Sequence, residues 1–175
     1  YLGVDYPRYK KLGLANYILK RFDKEYLIRD CMLTMARTET DLVKGGTVLL
    51  NLMIREGKLI WFTGILLPDL SESVLLDYTE SQWQWAKKGE STVWAFLIEN
   101  EMLYTSEMQP VQKFLGDAPF TSYFGTESPP RLGAIIGWKI ITSYMNRYPD
   151  ITVEELMKNY NAQEILNQSG YKPKL

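Results

Sequence analysis

Apolar residues fall at helical spacing along most of the chain, and Gly, Pro and small polar residues separate the periodic stretches. From Leu14 to Arg37 the pattern predicts a helix with Ile18, Phe22, Leu27, Cys31 and Met35 turned inward, after an aromatic, turn-rich and irregular start. Gly45 and Gly46 break it. The stretch "TVLLNLMIREGKLIWFTGILLPD", Thr47 to Asp69, then predicts one long helix capped by Thr47 and stopped after Leu67 by Pro68. Thr79 with Gln82 has the capping-box spacing and opens a further helix that runs on through Gly89 into "STVWAFLIENEMLY". A short helix near Ser106 to Leu115, the loop "GDAPFTSYFGTESPP" and a long helix from Arg131 to Tyr148 follow. Thr152 with Glu155 and Asn161 with Glu164 repeat the capping spacing, and Gly170 closes the last helix. There is no internal repeat and no strong strand pair. The fold class is mostly α, in a single domain over 1–175.

Within the long apolar segment, a helical wheel gathers Asn51, Arg55 and Lys58 into one wet stripe. Charges near the centre of the segment argue against a membrane span and for a core helix. Glu56 points away from that stripe, among Leu49, Leu52, Met53 and Ile60, so it is expected to face the interior or a cleft. A carboxylate there needs a cation, a metal or several hydrogen-bond donors, or its pKa rises. Arg29 and Arg131 are both candidate partners, and the pattern does not choose between them. Gly133 and Gly137, four residues apart, offer a surface against which another helix can pack closely.

Composition narrows the chemistry. Net charge is −1 with the charges interspersed, so there is no basic stripe for nucleic acid and no polybasic segment for anionic lipid. Histidine is absent, which removes Ser–His and Cys–His pairs and every His-containing zinc site. The single cysteine, Cys31, excludes an internal disulfide framework, and its apolar helical context predicts a buried, inert thiol. The chain begins Tyr-Leu-Gly without a methionine, as a processed or truncated product would. Trp83 and Trp85 lie on different faces of one predicted helix; with Tyr123 they are candidate surface contacts, partial burial being the other reading.

In order along the chain, "YLGVDYPRY", "EYLIRDCM", "LLNLMIREGKLIWFTGILLPD", "YTESQWQWAKKGESTVWAFLIENEMLY", "APFTSYFGTESPPRLGAIIGWKIITSYMNRYPDITVEELM" and "AQEILNQSGYKP" resemble the gliding-motility-associated lipoprotein GldB family of the Bacteroidetes. The resemblance implies the C-terminal part of a longer lipoprotein, anchored through a lipidated cysteine upstream of Tyr1 to the outer membrane and facing the periplasm. Cys31 is not that anchor. The family is in turn similar to a predicted zinc-peptidase group of zincin-like fold, with His-Glu-x-x-His on one helix and Glu-Gly on the next. Glu56-Gly57 matches the second motif; the first is missing, and Arg29 and Asp30 stand where the histidines are expected.

The resemblance therefore implies a zincin-like helical domain lacking the His-Glu-x-x-His zinc motif, a pseudoenzyme with no catalytic residue, metal or cofactor. Its candidate cleft residues are Glu56, Asp30, Arg29 and Arg131. The expected function is a non-catalytic lipoprotein of the gliding motility and envelope machinery that binds a protein or peptide. Its expected partners are envelope proteins, not nucleic acid, and membrane contact runs only through the upstream anchor. Two alternatives stand beside it. One is a zinc-dependent, peptidase-like hydrolase with ligands from an upstream segment or from Asp30 and Glu56; the other is a purely structural envelope subunit with an extended apolar patch.

Overall fold

The computed structural model describes residues 3–38 and 45–173. Among them run α1 (Pro7–Lys10), α2 (Asn16–Leu19), α3 (Glu25–Thr38), α4 (Leu49–Leu66) and α5 (Glu72–Leu76). After these come α6 (Glu80–Glu99), α7 (Met108–Leu115), α8 (Leu132–Arg147), α9 (Val153–Lys158) and α10 (Ala162–Ser169). Short 3-10 turns cover Lys20–Phe22, Met102–Tyr104 and Ser122–Phe124, and the described residues form no strand.

The core forms around the two most apolar helices, α4 and α8, which pack on each other along much of their length. A helix that is apolar on nearly every side has to be covered on every side. In α8, Ile135, Ile136, Ile140 and Ile141 are all buried, and α10, α7 and α6 lie around it. Glycine sets the closeness of the crossing. A Cβ on Gly137 would overlap the Met53 carbonyl, and one on Gly57 would stand 2.6 Å from the Trp138 amide nitrogen. Gly133 is also close-packed, against Phe114 and Leu115 of α7.

Element ends follow their local chemistry. Thr79 and Gln82 form the full capping box at the start of α6, as do Thr152 and Glu155 at the start of α9. Asn161 accepts the Glu164 amide at the start of α10, and Gly170 ends that helix in the left-handed conformation. At α4 the cap position falls one residue later than expected, on Val48, with no side-chain bond. The Leu49 amide is satisfied instead by the Thr105 carbonyl, a tertiary contact that no local pattern announces.

Further expectations are overturned. The predicted helix from Leu14 to Arg37 is broken at Asp23 and Lys24, and α3 buries Tyr26, Arg29 and Ala36. Leu27 and Met35 lie outward with Ile28, at 42%, 59% and 60% exposure. The break resets the helical register, so the spacing counted through it marks the wrong face. Cys31, on that outward face, is exposed rather than buried. A maleimide is expected to label one thiol per chain under native conditions as fast as in urea; slow native labelling would contradict the exposed setting.

Lys58, placed on the wet stripe by the wheel, is buried. Its ammonium donates to the Asn159 carbonyl and stands over the Tyr160 ring, 5.8 Å from the centroid. The segment after α9 covers this face of α4 from far along the sequence, which a wheel drawn for one helix cannot anticipate. Trp83 and Trp85 also turn to the core, with Trp83 buried against Trp138 and Trp85 half-buried against Phe124. Tyr123 stacks on Phe114.

Candidate functional site

A cleft of about 530 Å³ opens between α3, α4 and α7. α3 lines it with Arg29, Asp30, Leu33, Thr34 and Arg37, and α4 with Leu52, Arg55 and Glu56. Val111, Gln112 and Leu115 of α7, with Gly116 and Asp117 just after it, form a further wall. Arg21 and Arg131 complete the lining. Five arginines and three carboxylates therefore meet around four aliphatic side chains.

Glu56 stands among the guanidinium groups, its side chain 12% exposed. Its Oε2 accepts from Arg131 at 2.9 Å and from Arg37 at 3.4 Å, and Arg55 lies 3.6 Å from Oε1. The question of a partner is thus answered by Arg131 and not by Arg29. Arg29 donates to the Leu75 carbonyl at 3.0 Å and to Asp30 at 2.7 Å, which ties the wall of α3 to the end of α5. Arg21 bonds both Asp77 and Asp117, the latter at 3.0 Å, and that bond holds the Asp117 carboxyl below its usual range.

A self-bonded loop aims Arg131. The Thr121 amide and hydroxyl both donate to the Pro129 carbonyl, at 3.1 and 2.8 Å. The buried Ser128 hydroxyl lies 2.9 Å from the Thr121 carbonyl and 2.7 Å from that of Gly125, and donates to one at a time. Tyr78 donates to the Pro130 carbonyl from the other side. The chain then enters α8 with Arg131 at φ 53°, ψ 37°, a left-handed conformation that costs a residue with a Cβ on the order of 1 kcal/mol. Arg131 makes no side-chain capping bond there; its guanidinium goes to Glu56.

The four residues picked from the sequence, Glu56, Asp30, Arg29 and Arg131, thus come together on one cleft. Arg21, Arg37, Arg55 and Asp117 also line it, which the sequence pattern does not announce. One signal for Arg37 was available: it follows Arg29 by eight residues, which places the two about 80° apart on α3.

The donor set does not suit the zinc that a zincin-like origin would require. Among the described residues no three His, Cys, Asp or Glu side chains are grouped to hold a metal. Glu56 and Asp30 are each bonded to arginine, and guanidinium groups outnumber carboxylates in the lining, the reverse of what a dication needs.

A second, smaller recess lies over Lys58, with Asn159 and Tyr160 in its wall. Burial pushes the Lys58 pKa down from 10.5 to about 8. The unfolded chain therefore binds more protons than the folded one between those values, and folding stability rises with pH there. The expected gain between about pH 7.5 and pH 9.5 is on the order of 1 to 2 kcal/mol, and Lys58→Met flattens the profile. Above pH 10 the sign reverses, because burial holds Tyr26, Tyr78 and Tyr171 protonated in the fold while unfolded tyrosines ionise. Urea denaturation across the pH series measures both trends; a wild-type profile as flat as that of Lys58→Met would contradict the first.

Fold and site together define a helical protein with a polar, arginine-rich cleft gathered around one glutamate. No helix among the described residues is long and apolar enough to cross a membrane. The family model for gliding motility protein GldB matches residues 1–173, and the chain belongs to that family of gliding motility lipoproteins. No curated protein and no solved structure matches it.

Proposed function

We propose that the chain is a non-catalytic component of the gliding motility and envelope machinery, held at the outer membrane on its periplasmic side, and that it binds a protein or peptide in the Glu56–Arg131 cleft. The observation that supports this reading is the state of Glu56. Its carboxylate is engaged by Arg131 and Arg37, and Arg55 stands beside it. A carboxylate so engaged serves to organise a recognition surface rather than to ligate a metal. Four aliphatic side chains in the same lining add the apolar area that peptide binding uses. In this reading the chain is a zincin-like pseudoenzyme, and Glu56 is what remains of the zinc helix. Gly57 adds no independent support, because its close approach to α8 already requires a glycine.

Photo-crosslinking in the intact envelope tests the proposal. A benzophenone side chain at Gln112, exposed on the cleft wall, is expected to give a discrete protein adduct that disappears when Arg131→Gly is added. The same probe at Thr92, exposed on α6 outside the cleft, is expected to give none. Equal labelling from both positions, or none from Gln112, would remove the cleft as the binding site.

One observation favours the structural-subunit reading: Leu27, Ile28 and Met35 lie outward on one side of α3. An adduct from a probe at Ile28 and none from Gln112 would select it.

A further inference from the structure

We infer that the cleft recognises a carboxylate group on an extended peptide, a chain terminus or an acidic side chain, through Arg131, with aliphatic neighbours seated on Leu33, Leu52, Val111 and Leu115. This rests on the reading that the cleft binds a protein or peptide, and names what it selects.

Arg131 takes up a left-handed backbone in which glycine would be relaxed, and the loop from Thr121 to Pro130 holds it there with buried hydroxyl bonds. An arginine in such a place supplies something that glycine cannot, a guanidinium fixed in direction. That group bonds Glu56 through one terminal nitrogen, its side chain 18% exposed on the cleft. A guanidinium has five N–H donors in a planar fork, so one bond leaves it able to grip a second carboxylate beside the first.

The wall opposite is prepared in the same way. Arg29 is 5% exposed, and its planar group is held by the Leu75 carbonyl and by Asp30. Rotamers locked before the ligand arrives lose little entropy when it binds. Glu56 shows what the place accepts: one planar monoanion set among Arg37, Arg55 and Arg131. A ligand carboxylate continues that alternation of charge.

Five guanidinium groups against three carboxylates leave the lining net positive, so its charge draws an anion without choosing between carboxylate and phosphate. The four aliphatic side chains in turn favour an anion carried between apolar residues over a free ion.

The test uses two randomised hexapeptide bead libraries, one with free C-termini and one with C-terminal amides, probed with the labelled full-length protein. Arg131→Gly, which relaxes the backbone at that position, is the cleft variant. Arg37→Gln, half-exposed in the wild type, is the second variant should the first not fold, and melting temperatures confirm folding of both. The expected result is selection of peptides carrying Asp, Glu or a free terminus next to aliphatic residues. Selected peptides should bind the cleft variant about tenfold or more weakly, the worth of one lost charge-assisted pair. Selection from the amide library shows that side-chain carboxylates suffice; selection from the free-terminus library alone, without Asp or Glu, assigns the terminus. Peptides selected equally from both libraries with no acidic residue would overturn carboxylate recognition and leave peptide binding standing. No peptide distinguishing wild type from the cleft variant would overturn both.

Discussion

Replacing Gly137 by valine is expected to cost on the order of 3 kcal/mol or more, enough to leave much of the chain unfolded if its stability is ordinary for a domain of this size. The reason is geometric. The new Cβ would overlap the Met53 carbonyl of α4, which belongs to backbone and cannot swing aside as a side chain can. The two helices would have to separate along a crossing that organises the whole core, with Ile140, Ile141, Leu50 and Met53 all buried around it. Gly89→Ala in α6 is the control. There the nearest atoms to the new Cβ belong to the Trp85 ring edge, at 3.0 Å, and alanine is the better helix former, so the change is expected to stay within about 1 kcal/mol. Urea denaturation of the three proteins measures the difference. Equal midpoints for wild type and Gly137→Val would mean that α4 and α8 do not cross as described.

Removing the carboxylate of Glu56 should have the second-largest effect. Glu56→Gln keeps the shape but leaves Arg37, Arg55 and Arg131 facing one another without the charge that now lies between them. Breaking a fully buried pair costs about 3 to 5 kcal/mol; for a side chain that keeps some solvent contact, about 1 to 3 kcal/mol is expected. The loss should shrink as salt is raised, because added ions screen the repulsion among the three guanidinium groups. Adding Arg131→Gln to Glu56→Gln should recover part of it, since one of the repelling cations goes. Denaturation of the single and double variants at low and high salt reads this directly. Additive losses independent of salt would show that the charge of Glu56 is not what holds the three guanidinium groups together.

Much of the architecture was legible because it is written locally. The Thr79–Gln82 and Thr152–Glu155 boxes, Gly170 and the stop at Pro68 are each short-range devices, and each acts where the sequence places it. The close packing of Gly133 and Gly137 is local too, since only small residues at that spacing admit a neighbouring backbone. What was not legible depends on distant chain. Lys58 is buried because the segment near Asn159 returns over α4, and the Leu49 amide is capped by Thr105 from beyond α6. The inward face of α3 was misread because a break at Asp23 and Lys24 shifts the register and because an arginine, Arg29, takes an inward place that an aliphatic count never offers to it.

The site was legible to the same extent. The wheel turns Glu56 away from its polar neighbours, and the helix start next to the double proline brings Arg131 into consideration. The choice of Arg131 over Arg29 is tertiary, set by a loop whose hydroxyl bonds are invisible in a linear pattern. Arg55 was assigned to solvent because a wheel has only an inside and an outside, whereas a cleft is a third environment where charged and aliphatic side chains mix.

In the proposed reading Glu56 belongs to an arginine-held recognition cleft and not to a metal site. The most direct measurement is zinc binding by the full mature protein, purified without chelator or histidine tag, followed by titration calorimetry and elemental analysis beside Glu56→Gln. No stoichiometric zinc is expected in either protein, before or after zinc is added. One equivalent of zinc in the wild type, lost in Glu56→Gln, would contradict that reading.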